Sequence, residues 1–128
     1  MIVILDSKGK APLVTSSNEI KANLTYMNVG SAKNKAESIK DYIVHSNVDI
    51  MGISESWLYE DPTENATYIN AMVPLGYKLI HNPRSDGRVG GGVGIIARNS
   101  ADIRRIAKSK SSAISKQFEH LECVVRSY

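Results

Sequence analysis

Two side chains in this sequence end apolar runs in a way that invites chemistry. The stretch LTYMN closes on an amide, Asn28, and the stretch DIMGIS runs into a carboxylate, Glu55, followed by Ser56 and Trp57. Between them the chain has the pattern of one amphipathic helix, so residues 24–55 read as strand, crossover helix, parallel strand. Such crossovers are right-handed in nearly all known cases and place the two strands side by side. Ligands of open parallel sheets gather outside the carboxyl ends of the strands, which is where Asn28 and Glu55 fall. An amide beside a carboxylate is a small oxygen-rich site suited to a hard cation.

The elements that must position these groups follow from local pattern. A first strand is expected over 24–29. The helix is expected to start at Asn34, with Glu37 three residues on as in a capping box, to carry Ala36, Ile39 and Ile43 on one face, and to end near Ser46 or Asn47. Residues 49–54 are apolar almost throughout, as a sheet interior requires. Asp61-Pro62-Thr63-Glu64 supplies a cap, a first-turn proline and an acid, so a second helix is expected over 63–72, stopped by Pro74 and Gly76. Strands are expected over 77–80 and 92–98, with a turn through Asn82-Pro83 and Asp86-Gly87 between them. Residues 101–107 fit strand or helix, 108–116 read as a loop, and 118–125 alternate as a last strand. Residues 1–22, polar and without period, read as a loose leader, leaving 23–128 as the folded unit.

Composition narrows the class. With 128 residues, 42% of them hydrophobic, the chain can bury a core, and 16 Lys and Arg against 13 acids give a charge of +3, compatible with a polyanionic partner. The single cysteine, Cys123, excludes an internal disulfide framework and a cysteine-rich zinc site, and reads as a buried small group in a strand. The apolar start MIVIL is too short for a signal-peptide core or a membrane span, so an intracellular protein with no membrane partner is expected. Asn23 and Asn65 head matches to the glycosylation acceptor pattern, read here as chance matches.

Other motifs weigh less. The glycine run in residues 88–94, RVGGGVG, lacks a following Lys-Ser or Lys-Thr and the dinucleotide spacing, so it reads as a place where another backbone approaches closely. Arg84 and Arg88 beside it are candidate nucleic-acid contacts through phosphate. Trp57 could stack on a base, but its position just past a strand reads as an anchor packing the loop onto the core. Lys33, Lys35 and Lys40 read as a solvated helix face. The three histidines, His45, His81 and His120, lack ligand spacing and read as surface or structural groups.

The ordered segments YMNVGSAKNKAESIKDYIVHSNVDIMGISESWL, PLGYKLIHNPRSDGRVGGGVGIIAR and FEHLECVVRS resemble the endonuclease domain of non-LTR retrotransposons, within the endonuclease/exonuclease/phosphatase superfamily. The resemblance implies an α/β sandwich and magnesium-dependent nicking of DNA, with manganese as a substitute cation and a nuclear location for a working retroelement. By it, Asn28 and Glu55 are catalytic, with Glu55 the metal ligand. Two departures accompany the match. Gly30 stands where members usually carry Arg, and the chain has no tyrosine-proline, G-D-[FL]-N or S-D-H segment, which by resemblance supply the water-orienting Asp, a second Asn and the catalytic His. The expectation is therefore the first half of such a sandwich, one mixed sheet with flanking helices and a second half missing. Such a chain would expose an unpaired sheet face through which it could self-associate, and would lack nuclease activity of its own. The alternatives are a non-catalytic remnant or binding module of that fold, and a relative acting on another phosphoester.

Overall fold

The expected crossover is present. A computed structural model describes residues 2–5, 22–84, 90–105 and 121–127. Strand β2 (Leu24–Asn28), helix α1 (Ala36–His45) and strand β3 (Ile50–Ser54) follow one another, and β2 and β3 pair in parallel with Asn28 opposite Ser54. Helix α1 starts later than the expected cap at Asn34. Residues Ala32–Asn34 instead make one 3-10 turn, and Lys35 precedes the helix with no side-chain cap. The cause is tertiary, because the N–H groups of Ser31 and Ala32 are drawn onto the carbonyls of Glu55 and Ser56, both at 2.8 Å. At its far end α1 stops as expected. Asn47 takes a left-handed φ of 51°, and Val48 N–H reaches Ile43 C=O at 3.1 Å while Asn47 N–H reaches Val44 C=O at 3.3 Å. This is the Schellman pattern, with Ile43 and Val48 both buried in the same cluster as its apolar contact.

Helix α2 (Pro62–Met72) matches its expected signals, with the Asp61 carboxylate accepting from Thr63 N–H at 2.9 Å and Pro62 in the first turn, where no N–H is needed. Strands β4 (Tyr77–Asn82) and β5 (Val93–Arg98) pair antiparallel, and β5 also pairs antiparallel with β3, giving a four-stranded mixed sheet of order β2-β3-β5-β4. One face of this sheet carries Met51, Ile53 and Ile96 beneath Ile39 and Ile43 of α1 and Met72 of α2. Lys40 Nζ ties the two helices by donating to Asn70 C=O at 2.8 Å.

The opposite face overturns the single-sheet expectation. Strand β1 (Ile2–Leu5) lies inside the segment read as a loose leader and pairs in parallel with β7 (Leu121–Ser127), which pairs antiparallel with β6 (Asp102–Arg105). The run Ile2-Val3-Ile4-Leu5 is an outer strand of this second sheet; the rest of the leader, 6–21, lies outside the described residues. Ile103, Leu121, Cys123 and Val125 of the second sheet pack against Ile50, Val93, Ile95 and Ala97 of the first. The inner face expected to be bare is thus covered by a partner sheet, and among the described residues the large apolar groups exposed on that side are Leu24 and Tyr26 of the outer strand β2 (53% and 65% exposed). The Cys123 thiol is buried as expected, and burial raises its pKa. Among the described residues no helix is long and apolar enough to cross a membrane.

Candidate functional site

The chain leaving β3 is wedged between two loops. On one side Val29 N–H donates to Ser54 C=O at 3.0 Å, continuing the ladder that Ser31 and Ala32 extend to Glu55 and Ser56. On the other, Ser56 N–H donates to Gly92 C=O at 3.3 Å and Trp57 N–H to Gly91 C=O at 2.9 Å. The segment Glu55-Ser56-Trp57 is therefore held by backbone alone from both flanks. Within it Glu55 and Trp57 have φ of 54° and 55°, and the facing Ser31 has φ of 94°. Positive φ in residues with a Cβ costs on the order of 1–3 kcal/mol each and persists only where surroundings over-determine it. Three such residues meet at the carboxyl ends of two neighbouring parallel strands.

Glu55 is oriented by two donors that fall on the same oxygen. Trp57 Nε1–H donates to Glu55 Oε2 at 2.9 Å, and the backbone N–H of Gly91 donates to the same atom at 3.2 Å. Asn28 lies at the end of β2, exposed, with its Oδ1 accepting from Gly30 N–H at 3.2 Å, a local turn that fixes the amide. Next to it, the hydroxyls of Tyr26 and Ser54 are hydrogen-bonded to each other across the two strands. An alternation of side chains along the paired strands puts Tyr26, Asn28 and Ser54 on one face.

The glycine run has its explanation here, and it is the close-approach reading. Gly90, Gly91 and Gly92 all have positive φ (95°, 70° and 91°). A Cβ on Gly92 would lie 2.5 Å from the buried Ser56 Oγ, and one on Gly90 would lie 3.3 Å from Trp57 Nε1 and 3.7 Å from Glu55 Oε2. The loop can form the wall of the site only because it carries no side chains.

Other expected residues are placed differently. Trp57 is not the anchor: it is 38% exposed and belongs to neither apolar cluster, whereas Leu58, 4% exposed, packs beneath the helices. The next residue, Tyr59, is held by Asn65, whose side chain accepts from Tyr59 N–H at 2.7 Å and donates to Tyr59 C=O at 2.6 Å. Asn65 is fully buried in this role and closed to a glycan, a function its sequence context did not signal. Asn23 likewise spends its amide on the carbonyls of Ser46 and Asn47. Lys33 sits 3.6 Å from the centroid of the Tyr59 ring, and Lys40 is taken up by α2, so both serve packing between elements rather than a free basic face. Arg84 follows Pro83, which lies beside Gly92, and has an interaction of its own. Arg88 lies outside the described residues.

The histidines lie on separate elements or outside the described residues. His45 Nδ1 bonds Asp41 C=O within α1, His120 is outside the described residues, and His81 is in β4 with its pKa lowered, first by burial and then by the nearby Arg105 charge. Among the described residues no three His, Cys, Asp or Glu side chains gather into a metal-ligand group. The donor set at the strand ends is one carboxylate and one amide, both oxygen donors. That fits a hard cation held by few protein ligands and otherwise by water and phosphate oxygens; it does not fit zinc. No family model, curated protein or solved structure matches this chain.

Proposed function

We propose that the strand ends carrying Asn28 and Glu55 are the cation-binding part of a magnesium-dependent DNA endonuclease site, of the endonuclease/exonuclease/phosphatase kind that the sequence resembles in non-LTR retrotransposons. The observation that carries this reading is the strained, doubly held Glu55. A solvated carboxylate at an ordinary strand end has no need of a left-handed backbone, an indole donor and a side-chain-free loop pressed against it. In this role Glu55 holds Mg2+, or Mn2+ in its place, and Asn28 orients a phosphate oxygen. The bound cation would neutralise charge on the phosphoryl group. The hydrogen-bonded hydroxyls of Ser54 and Tyr26 share the face of β2 and β3 that carries Asn28.

A second reading is favoured by what surrounds Glu55. Among the described residues no three His, Cys, Asp or Glu side chains gather at Glu55, and on this reading the chain is a cation-dependent DNA-binding module. An assay with two outputs separates the readings. Anisotropy of a labelled DNA duplex should show binding that Mg2+ strengthens in the wild-type chain and not in Glu55→Ala. Relaxation of supercoiled plasmid with Mg2+ should show equal background for both proteins. Nicking abolished by Glu55→Ala establishes turnover by this chain, and DNA binding indifferent to Mg2+ and to Glu55 refutes the proposal.

A further inference from the structure

The two oxygens of Glu55 are not equivalent. Both donors, Trp57 Nε1–H at 2.9 Å and Gly91 N–H at 3.2 Å, are directed at Oε2, and among the described residues none is directed at Oε1. Trp57 makes this contact with its ring partly exposed and outside both apolar clusters, so burial of the indole is not what holds it in place. Its backbone is left-handed, as is that of Glu55 two residues earlier, and this pair of unusual conformations turns the indole N–H back onto the carboxylate. Gly90 permits the arrangement, since a Cβ there would press on Trp57 Nε1 and on Glu55 Oε2.

We infer that Trp57 is a positioning residue for a divalent cation, committing Oε2 of Glu55 to the protein and Oε1 to the metal. The inference rests on the cation role proposed for Glu55 and adds what selects the ligating atom. Two neutral donors fix the carboxylate plane without cancelling its charge, so Oε1 is presented in one orientation and the cation does not have to freeze the side chain on binding. Groups that orient a metal ligand in this way are worth about 10-fold to 100-fold in metal affinity.

Trp57 is the only tryptophan in the chain, which makes the test specific. Mn2+ is titrated into the full chain, with bound metal measured by electron paramagnetic resonance and emission of Trp57 recorded in parallel. Quenching of that emission by Mn2+ is expected in the wild type and not in E55Q. Replacing tryptophan biosynthetically by 3-benzothienylalanine keeps the ring shape and exchanges the N–H for sulfur, so folding is preserved while one hydrogen bond is removed. Mn2+ affinity should then fall about 10-fold, and W57F should behave alike. Glu55-dependent Mn2+ binding that is unchanged by the benzothienyl replacement overturns the positioning role and leaves the cation role of Glu55 standing. Equal Mn2+ binding and quenching in wild type and E55Q overturns both.

Discussion

At the scale of single residues, the site is built by backbone that few residue types tolerate. Gly92 is the sharpest case. Its φ of 91° disfavours any side chain, and the Cβ of an alanine would lie 2.5 Å from the buried Ser56 Oγ, so something must shift. Gly92→Ala should destabilise the fold by about 1–3 kcal/mol from the backbone alone, with the clash added. Combining it with Ser56→Gly removes the clashing atom and not the φ strain, so denaturant midpoints should recover only in part. Full recovery in the double variant would show that strain at Gly92 contributes nothing. Gly76, with φ of 86° and open space around its Cβ position, carries the strain without the clash and makes a matched control.

At the scale of elements, the two parallel strands are joined at both ends, by different chemistry. The carboxyl ends are joined by backbone bonds around Glu55. The amino ends are joined by Asp49, which accepts from Asn23 N–H at 2.8 Å and from Arg98 Nε at 2.7 Å, linking the starts of β2 and β3 to the end of β5. Arg98 also reaches the Asn47 side chain and lies over the Tyr77 ring. The Asn23 N–H first, and the Arg98 guanidinium next, hold the Asp49 carboxyl below its ordinary pKa. A depressed carboxylate contributes stability above its unfolded pKa, about 3.9, and that contribution is lost as pH falls through the lower folded value. The stability gap between wild type and Asp49→Asn should therefore be constant near neutral pH and close in acid. A gap independent of pH down to the acid transition would refute the assignment. Asp61, also held low by Thr63, titrates with the same sign in both proteins and cancels in the comparison.

At the scale of the whole molecule, β3 and β5 belong to two cores at once. Met51 and Ile96 face the helices, while Ile50, Ile95 and Ala97 face the second sheet. The sheets are tied further by Arg105, which donates to Asn82 Oδ1 at 2.6 Å and to His81 C=O at 2.7 Å, and by Lys78, which donates to Ala101 C=O at 2.7 Å. Because the shared strands cannot lose one core and keep the other, the chain should unfold in one transition. Met51→Ala and Ile95→Ala, on opposite faces, should each cost about 2–5 kcal/mol. Both should lower the same midpoint, read alike by far-ultraviolet and near-ultraviolet circular dichroism. Separate transitions, or a dye-binding, loosely packed state in the wild type, would refute the shared-core account.

What the sequence determined by itself was local. The crossover β2-α1-β3, the cap at Asp61, the stop at Asn47 and the placing of Asn28 and Glu55 at strand ends all follow from periodicity and from residues that bond within a few positions of themselves. The glycine run was legible as a site of close approach, though not what it approaches. The tertiary structure alone decided the rest, because it depends on contacts between distant segments. Ile2–Leu5 became a strand only by pairing with Leu121–Ser127, and that pairing turned an expected single sheet into two. The start of α1 was moved by bonds to Glu55 and Ser56, and Trp57 was taken from anchor to partner of Glu55 by backbone angles that no spacing rule encodes. Asn65, a polar residue in a helix, was buried because Tyr59 offered it both a donor and an acceptor.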